Sequence, residues 1–170
     1  NNEVIHEVGF HSSAIEMIFN SNSFSMDQFR NILRDFSTVY FEIETSSPNF
    51  DRIFRSISTY KKIAIESKKS NLEMKLFPEK IKINIVFDLE KSINENQKLI
   101  DIITFSDKIT TIKERQFSNF SSVTNIIIPP TINQIGLYSF SNCSSLTSIT
   151  IPESITEISN YSFQNCSSLS

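Results

Sequence analysis

From residue 102 onward the sequence repeats itself every 23 residues. Phe117, Phe140 and Phe163 fall in register, as do Ile109, Ile132 and Ile155, then Ile112, Ile135 and Ile158. Val123, Leu146 and Leu169 superpose as well, followed by Phe105, Ile128 and Ile151. A fixed period of this size with apolar residues at fixed phases marks a stacked repeat, in which no unit can bury its apolar set alone. In Leu146-Thr-Ser-Ile149-Thr-Ile151-Pro152, Ile149 and Ile151 point one way and Thr150 the other. That is strand alternation, so each unit is expected to supply one short strand of a parallel sheet. Pro152 cannot donate to a ladder and ends the strand. Ile155, Ile158, Phe163 and Leu169 then point inward from an irregular or short helical return.

The phrase from Ile128 to Leu169 carries Ile-Pro, Ile, Ile-Gly, Ser-Phe, Cys and Leu at the phases of one repeat family. On these residues the chain resembles the BspA-like leucine-rich repeat family. Residues 126–170 carry the pattern closely, and residues 102–125 carry it with Phe120 in the cysteine place and no Pro. The low-glycine wording, rich in Ile, Ser and Asn, is similar to members from AT-rich protist genomes. The resemblance implies an α/β leucine-rich repeat solenoid, with short parallel strands on one face and helices or irregular returns on the other. It also implies a non-enzymatic protein-binding role, either as a surface adhesin or antigen on host or matrix proteins, or as an intracellular adaptor. In the adaptor reading the N-terminal region docks one partner while the repeats bind a target.

Residues 1–100 lack the signature and are expected to be degenerate repeats or a small α/β cap, with the repeats proper at 101–170. Strand-like apolar pairs occur at Met17 and Phe19, Phe41 and Ile43, Ile63 and Ile65, Ile83 and Ile85, and Ile103 and Phe105, at steps of 20 to 24 residues. Helical stripes lie between them. Ser25-Met-Asp-Gln28 reads as a capping box before Met26, Phe29, Ile32, Leu33 and Phe36. Ser47-Pro48 opens a second helix with Phe50, Ile53, Phe54 and Ile57 on one face, and a third is expected from Leu89 to Ile100.

Candidate chemistry is sparse. His6 and His11 are wrongly spaced for one helical face and have no neighbouring acid or cysteine cluster. No nucleophile, Walker or Rossmann phrase occurs, and two glycines in 170 residues leave little for a phosphate-cradling loop. No catalytic, cofactor-binding or metal residue is therefore assigned. The net charge of -3 opposes a nucleic-acid or polybasic membrane surface. No apolar run is long enough to span a bilayer. Glu42 and Glu44 read as a solvated strand face, and Lys61-Lys62 with Lys68-Lys69 as a solvated basic cluster or an anion site. Cys143 and Cys166 share one repeat phase and read as buried small apolar side chains rather than a disulfide framework. Four Asn-x-Ser sequons, at Asn119, Asn142, Asn160 and Asn165, read as glycan acceptors in a secreted chain or as turn residues.

From Gln116 to Ser170 the only charged side chains are Glu153 and Glu157. A surface of Ser, Thr, Asn and Gln binds by shape and hydrogen bonding. The outward positions of the repeat sheet, Thr124, Asn125, Ile127, Thr147, Ser148 and Thr150, are the candidate protein-binding face. The competing expectation is a polar ladder that only keeps the array in solution. The chain begins Asn1-Asn2-Glu3, as after leader removal or in a fragment, and compartment cannot be read from it. Ser170 falls where the next strand would start, so the array either continues or self-associates through an open C-terminal end.

Overall fold

The structure is a computed structural model that describes residues 7–11, 14–15, 26–70 and 76–170. It divides into two compact units: residues 1–43 with 47–83, and residues 44–46 with 84–170. Strand β3 is shared between them.

In the first unit, β1 (Glu7–His11) pairs in parallel with β2 (Thr38–Glu44), Phe10 lying opposite Phe41. β2 turns Val39, Phe41 and Ile43 inward while Tyr40 is exposed, the alternation expected at Phe41 and Ile43. Helix α1 (Met26–Leu33) falls on the first helical stripe, with Leu33 buried and Ile32 exposed. Helix α2 (Phe50–Lys69) buries Phe50, Ile53, Phe54, Ile57, Tyr60, Lys61 and Ala64, a stripe at helical spacing. Asp51 in its first turn and Lys68 and Lys69 in its last complement the helix dipole. The core is aromatic: Tyr60 meets Phe41 edge-on at 6.2 Å and Phe77 at 5.5 Å. The N–H of Lys80 donates to Ser37 O at 3.0 Å where β3 (Lys80–Phe87) begins beside β2.

Two sequence expectations fail in these elements. Ile63 and Ile65 are not a strand pair but lie within α2, 44% and 38% exposed. Their alternation spans too few residues to outweigh a helical stripe running from Phe50 to Ala64. Of the basic cluster, Lys61 is buried while Lys62, Lys68 and Lys69 are exposed, Lys69 lying 3.4 Å from Glu66. The Met17–Phe19 pair, the Ser25 cap and His6 lie outside the described residues.

In the second unit, the latter half of β3 pairs in parallel with β4 (Ile102–Phe105), and β4 with β6 (Asn125–Ile127). Ile85, Ile103 and Ile126 form one inward row across these strands. A second ladder joins β5 (Thr111–Ile112) to β7 (Gln134–Ile135) and continues as a bridge from Ile135 to Ile158. This is an α/β repeat fold with a largely parallel sheet. No strand forms at residues 147–151, although their side chains alternate as expected. Three-residue strands offer few ladder bonds, and the units are joined instead through the turns that follow them. The helix expected from Leu89 to Ile100 is also absent. Irregular backbone and a short 3-10 turn at Gln97–Leu99 replace it, with Leu89 exposed and Asn96 in the left-handed region at φ 59°.

The second unit begins with a polar clamp. Thr45 Oγ1 and the N–H of Ser46 donate to Asp88 Oδ1 at 2.9 and 2.8 Å, and Ser46 Oγ donates to Oδ2. The N–H groups of Asp88 and Leu89 in turn donate to Thr45 Oγ1, each at 3.1 Å. Burial pushes the Asp88 carboxyl up, but the bonds from Ser46 and Thr45 outweigh it and hold the group below its ordinary 3.8. A carboxyl depressed on folding stabilises the fold above its unfolded pKa, and that contribution fades as pH falls through the folded value. Asp88→Asn is therefore expected to melt below wild type at pH 7, with the gap closing as pH drops below about 3.8. Thermal melts of both proteins from pH 7 to 2 check this. A pH-independent gap would show that the charge is not what the clamp holds.

Candidate functional site

Each repeat continues from its inward strand residues into a run of overlapping turns. In the middle repeat the N–H of Ser139 donates to Gly136 O, that of Ser141 to Tyr138 O and that of Cys143 to Phe140 O. This backbone places left-handed residues at two positions, four apart, in each repeat. Asn119, Asn142 and Asn165 take one at φ 69°, 62° and 59°, and Arg115, Tyr138 and Tyr161 the other at 54°, 54° and 60°. Asparagine tolerates this region, whereas arginine and tyrosine are strained in it. Stacking offsets that strain. The Arg115 guanidinium lies 5.0 Å from the Tyr138 ring centre, and Tyr138 stacks on Tyr161 at 4.9 Å, 11° from parallel.

The asparagines form a ladder. Asn142 Nδ2 donates to Asn119 Oδ1 and Asn165 Nδ2 to Asn142 Oδ1, both at 2.9 Å. Three of the four sequons thus sit at left-handed turn positions with side chains engaged between repeats, while Asn160 is exposed. Of the two cysteines expected to be buried, Cys143 is and Cys166 is half-buried, Cys143 Sγ lying 3.3 Å from Phe117 O and Cys166 Sγ 3.2 Å from Phe140 O. Burial, and secondarily the neighbouring Cys166, pushes the Cys143 thiol up to about 12. A thiol held protonated is a poor nucleophile. Phe117, Phe140 and Phe163 stack beside them at 5.4 Å per step.

Against this core the candidate face is outward and polar, but only Asn125 and Ile127 lie on a strand, β6; Thr124 precedes it, and Thr147, Ser148 and Thr150 lie where no strand forms. Thr124, Asn125, Ile127, Thr147, Ser148 and Thr150 are all exposed. They form two copies of one pattern 23 residues apart: Thr124 with Thr147, Asn125 with Ser148, and Ile127 with Thr150. Asn125 lies beside Ile102 and Ile127 beside Thr104 in the ladder. Thr124 is anchored by its N–H to Asp101 O at 3.0 Å. Ile127, 53% exposed, is the largest apolar side chain of the six. Elsewhere, Glu42 is half-buried with Oε1 3.4 Å from His11 Nδ1, and Glu44 is exposed. Among the described residues no cluster of three or more His, Cys, Asp or Glu is placed to hold a metal ion. Among them, too, no helix is long and apolar enough to cross a membrane.

A parallel repeat sheet, inward aromatic and cysteine ladders, and a surface that from Gln116 onward carries only Glu153 and Glu157 as charges define a repeat-type protein-interaction module. Residues 88–170 match the family described as BspA type leucine rich repeat region (6 copies), the family that the repeat phrase resembles. The match begins before the strict motif read from the sequence, taking in the irregular stretch after β3. Neither the curated proteins nor the solved structures contain a match to the chain.

The Asn and Tyr ladders were missed in the sequence. Their signal was there, in Asn119, Asn142 and Asn165 at one phase and Arg115, Tyr138 and Tyr161 at another. The left-handed backbone that makes them neighbours carries no mark at an arginine or a tyrosine.

Proposed function

We propose that the chain is a non-enzymatic protein-binding module in which residues 101–170 form a solenoid segment behind an N-terminal α/β region. Its recognition surface is the outward face made by Thr124, Asn125, Ile127, Thr147, Ser148 and Thr150. The observation that supports this best is Ile127, exposed in a row of hydroxyl and amide side chains without a charged neighbour among the six. One apolar anchor ringed by hydrogen-bonding groups is the composition of a binding spot.

A photo-reactive phenylalanine analogue placed at position 127 of the full-length protein in its source cells is expected to capture a protein partner. The same group at Glu157 serves as the control. Adducts that are equal at both positions, or absent at 127, would overturn the assignment of the face. The substitution Ile127→Asp is expected to abolish capture from a probe at position 148 while shifting stability by about 0.5 kcal/mol or less, as at surface sites generally. In the adhesin version of this reading the partner is a host or matrix protein. Protease treatment of intact cells separates the versions, because surface repeats are cleaved and those of an intracellular adaptor survive until lysis.

A further inference from the structure

Neighbouring turns of the repeats are joined by main-chain bonds in strict register. The N–H groups of Arg115, Phe117 and Asn119 donate to Leu137, Ser139 and Ser141 O at 3.0, 2.8 and 2.9 Å. Those of Tyr138, Phe140 and Asn142 donate to Asn160, Ser162 and Gln164 O at 3.3, 2.8 and 2.8 Å. One period earlier the accepting positions are the carbonyls of Glu114, Gln116 and Ser118, and among the described residues these accept no hydrogen bond. The three residues instead line an open groove of about 370 Å³, whose other wall includes Ser92, Asn94 and Gln97.

The groove has a cause in the sequence. Residues 92–96 occupy the phases of 115–119, and Asn96 already has the left-handed backbone of Asn119. The ring position of Phe117 corresponds to Asn94, however, and Ile93 is buried there while Asn94 is exposed. Gln97 Nε2 holds this arrangement by donating to Ile93 O at 3.1 Å. Two residues rather than one therefore separate the inward side chain from the left-handed asparagine. The extra residue shifts the 92–96 N–H groups out of register with the carbonyls they would meet. Closing the groove from within would withdraw Ile93 from the core or bury the Asn94 amide.

We propose that this groove docks a main-chain segment of a protein partner, whose N–H groups on alternate residues bond to Glu114, Gln116 and Ser118 O. This is edge recognition of the kind by which an extended peptide adds to an open ladder. The occupant is neutral and polar, because the walls are Ser, Asn and Gln, and Glu114 and Arg115 neutralise each other at 2.5 Å. The proposal rests on the protein-binding reading but uses a surface other than the sheet face.

The test pans a random linear peptide phage library on the full 170-residue chain and measures the selected peptides by fluorescence anisotropy. Binding is expected to be lost in Ser92→Trp and Asn94→Trp, which fill the groove, and to persist in Ile127→Asp. N-methylation of the peptide at each of three alternate residues is expected to weaken binding about tenfold. Both tryptophans replace exposed residues, so their melting curves serve as the folding check, and Ser92→Trp alone suffices if Asn94→Trp unfolds. Peptides that ignore both tryptophans, or tolerate N-methylation throughout, overturn the groove, as does a library without binders. Peptides lost only in Ile127→Asp overturn it while supporting the sheet face.

Discussion

Phe140→Ala is expected to destabilise the second unit by about 3–5 kcal/mol. Phe140 is fully buried and stacks between Phe117 and Phe163 at 5.4 Å on either side. Its removal leaves two ring faces without partners and a cavity in a repeat whose Ile135, Cys143 and Leu146 are also fully buried. A loss of this size is a large part of the stability of an ordinary domain. Because stacked repeats unfold from their neighbours outward, residues around and beyond 140 are expected to exchange their amide hydrogens first, before the strands of the first unit. Hydrogen exchange monitored by mass spectrometry reads this directly. Phe163→Ala, at a half-buried position, is expected to cost less. Equal costs would mean that the stack is not what holds the repeats together.

Gly136→Ala should be nearly as damaging, although it adds one methyl group. A Cβ at Gly136 would lie 2.6 Å from Glu114 N, 2.7 Å from the Lys113 carbonyl carbon and 2.9 Å from Ile112 O. All three are backbone atoms, so no rotamer change relieves the clash. The neighbouring repeat must move away, stretching the 2.8 Å bond from the Gly136 N–H to Ile112 O and loosening the β5–β7 pair. Overpacking of this kind costs about 1–3 kcal/mol or more, and here it also strains a hydrogen bond. Gly9→Ala is the matched control, since nothing lies within 4 Å of a Cβ there. Thermal melts of the two variants should separate clearly. A Gly136→Ala protein that melts with wild type would mean that the turn edge yields easily.

The close approach at Gly136 explains the Ile-Gly step of the repeat phrase, which the sequence shows but does not account for. Glycine is needed here for the room it leaves beside the backbone of Ile112, Lys113 and Glu114, and its φ is not positive. The same holds for Asn119, Asn142 and Asn165, legible as a phase and explained only by their ladder.

The sequence alone determined most of the inward set of the repeats: Ile109, Ile132, Ile155, Ile112, Ile135, Phe117 and Phe140 are buried as read, whereas Ile158, read as inward, is 45% exposed and Phe163 and Leu169 are half-buried. Apolar side chains at fixed phases have one low-energy solution when units stack, and all six residues of the candidate face are exposed in consequence. It likewise placed the strands at Phe41, Ile83 and Ile103 and the helix face from Phe50 to Ile57. What only the tertiary structure decided was main-chain pairing. Ile63 and Ile65 could have been a strand or the end of a helix, and a stripe begun thirteen residues earlier chose the helix. The strand missing at residues 147–151, the left-handed Arg115 and Tyr138, and the open carbonyls of Glu114, Gln116 and Ser118 have the same origin. Side-chain periodicity reports burial, but hydrogen-bond register depends on where the neighbouring backbone lies, and one extra residue near Ile93 is enough to break it.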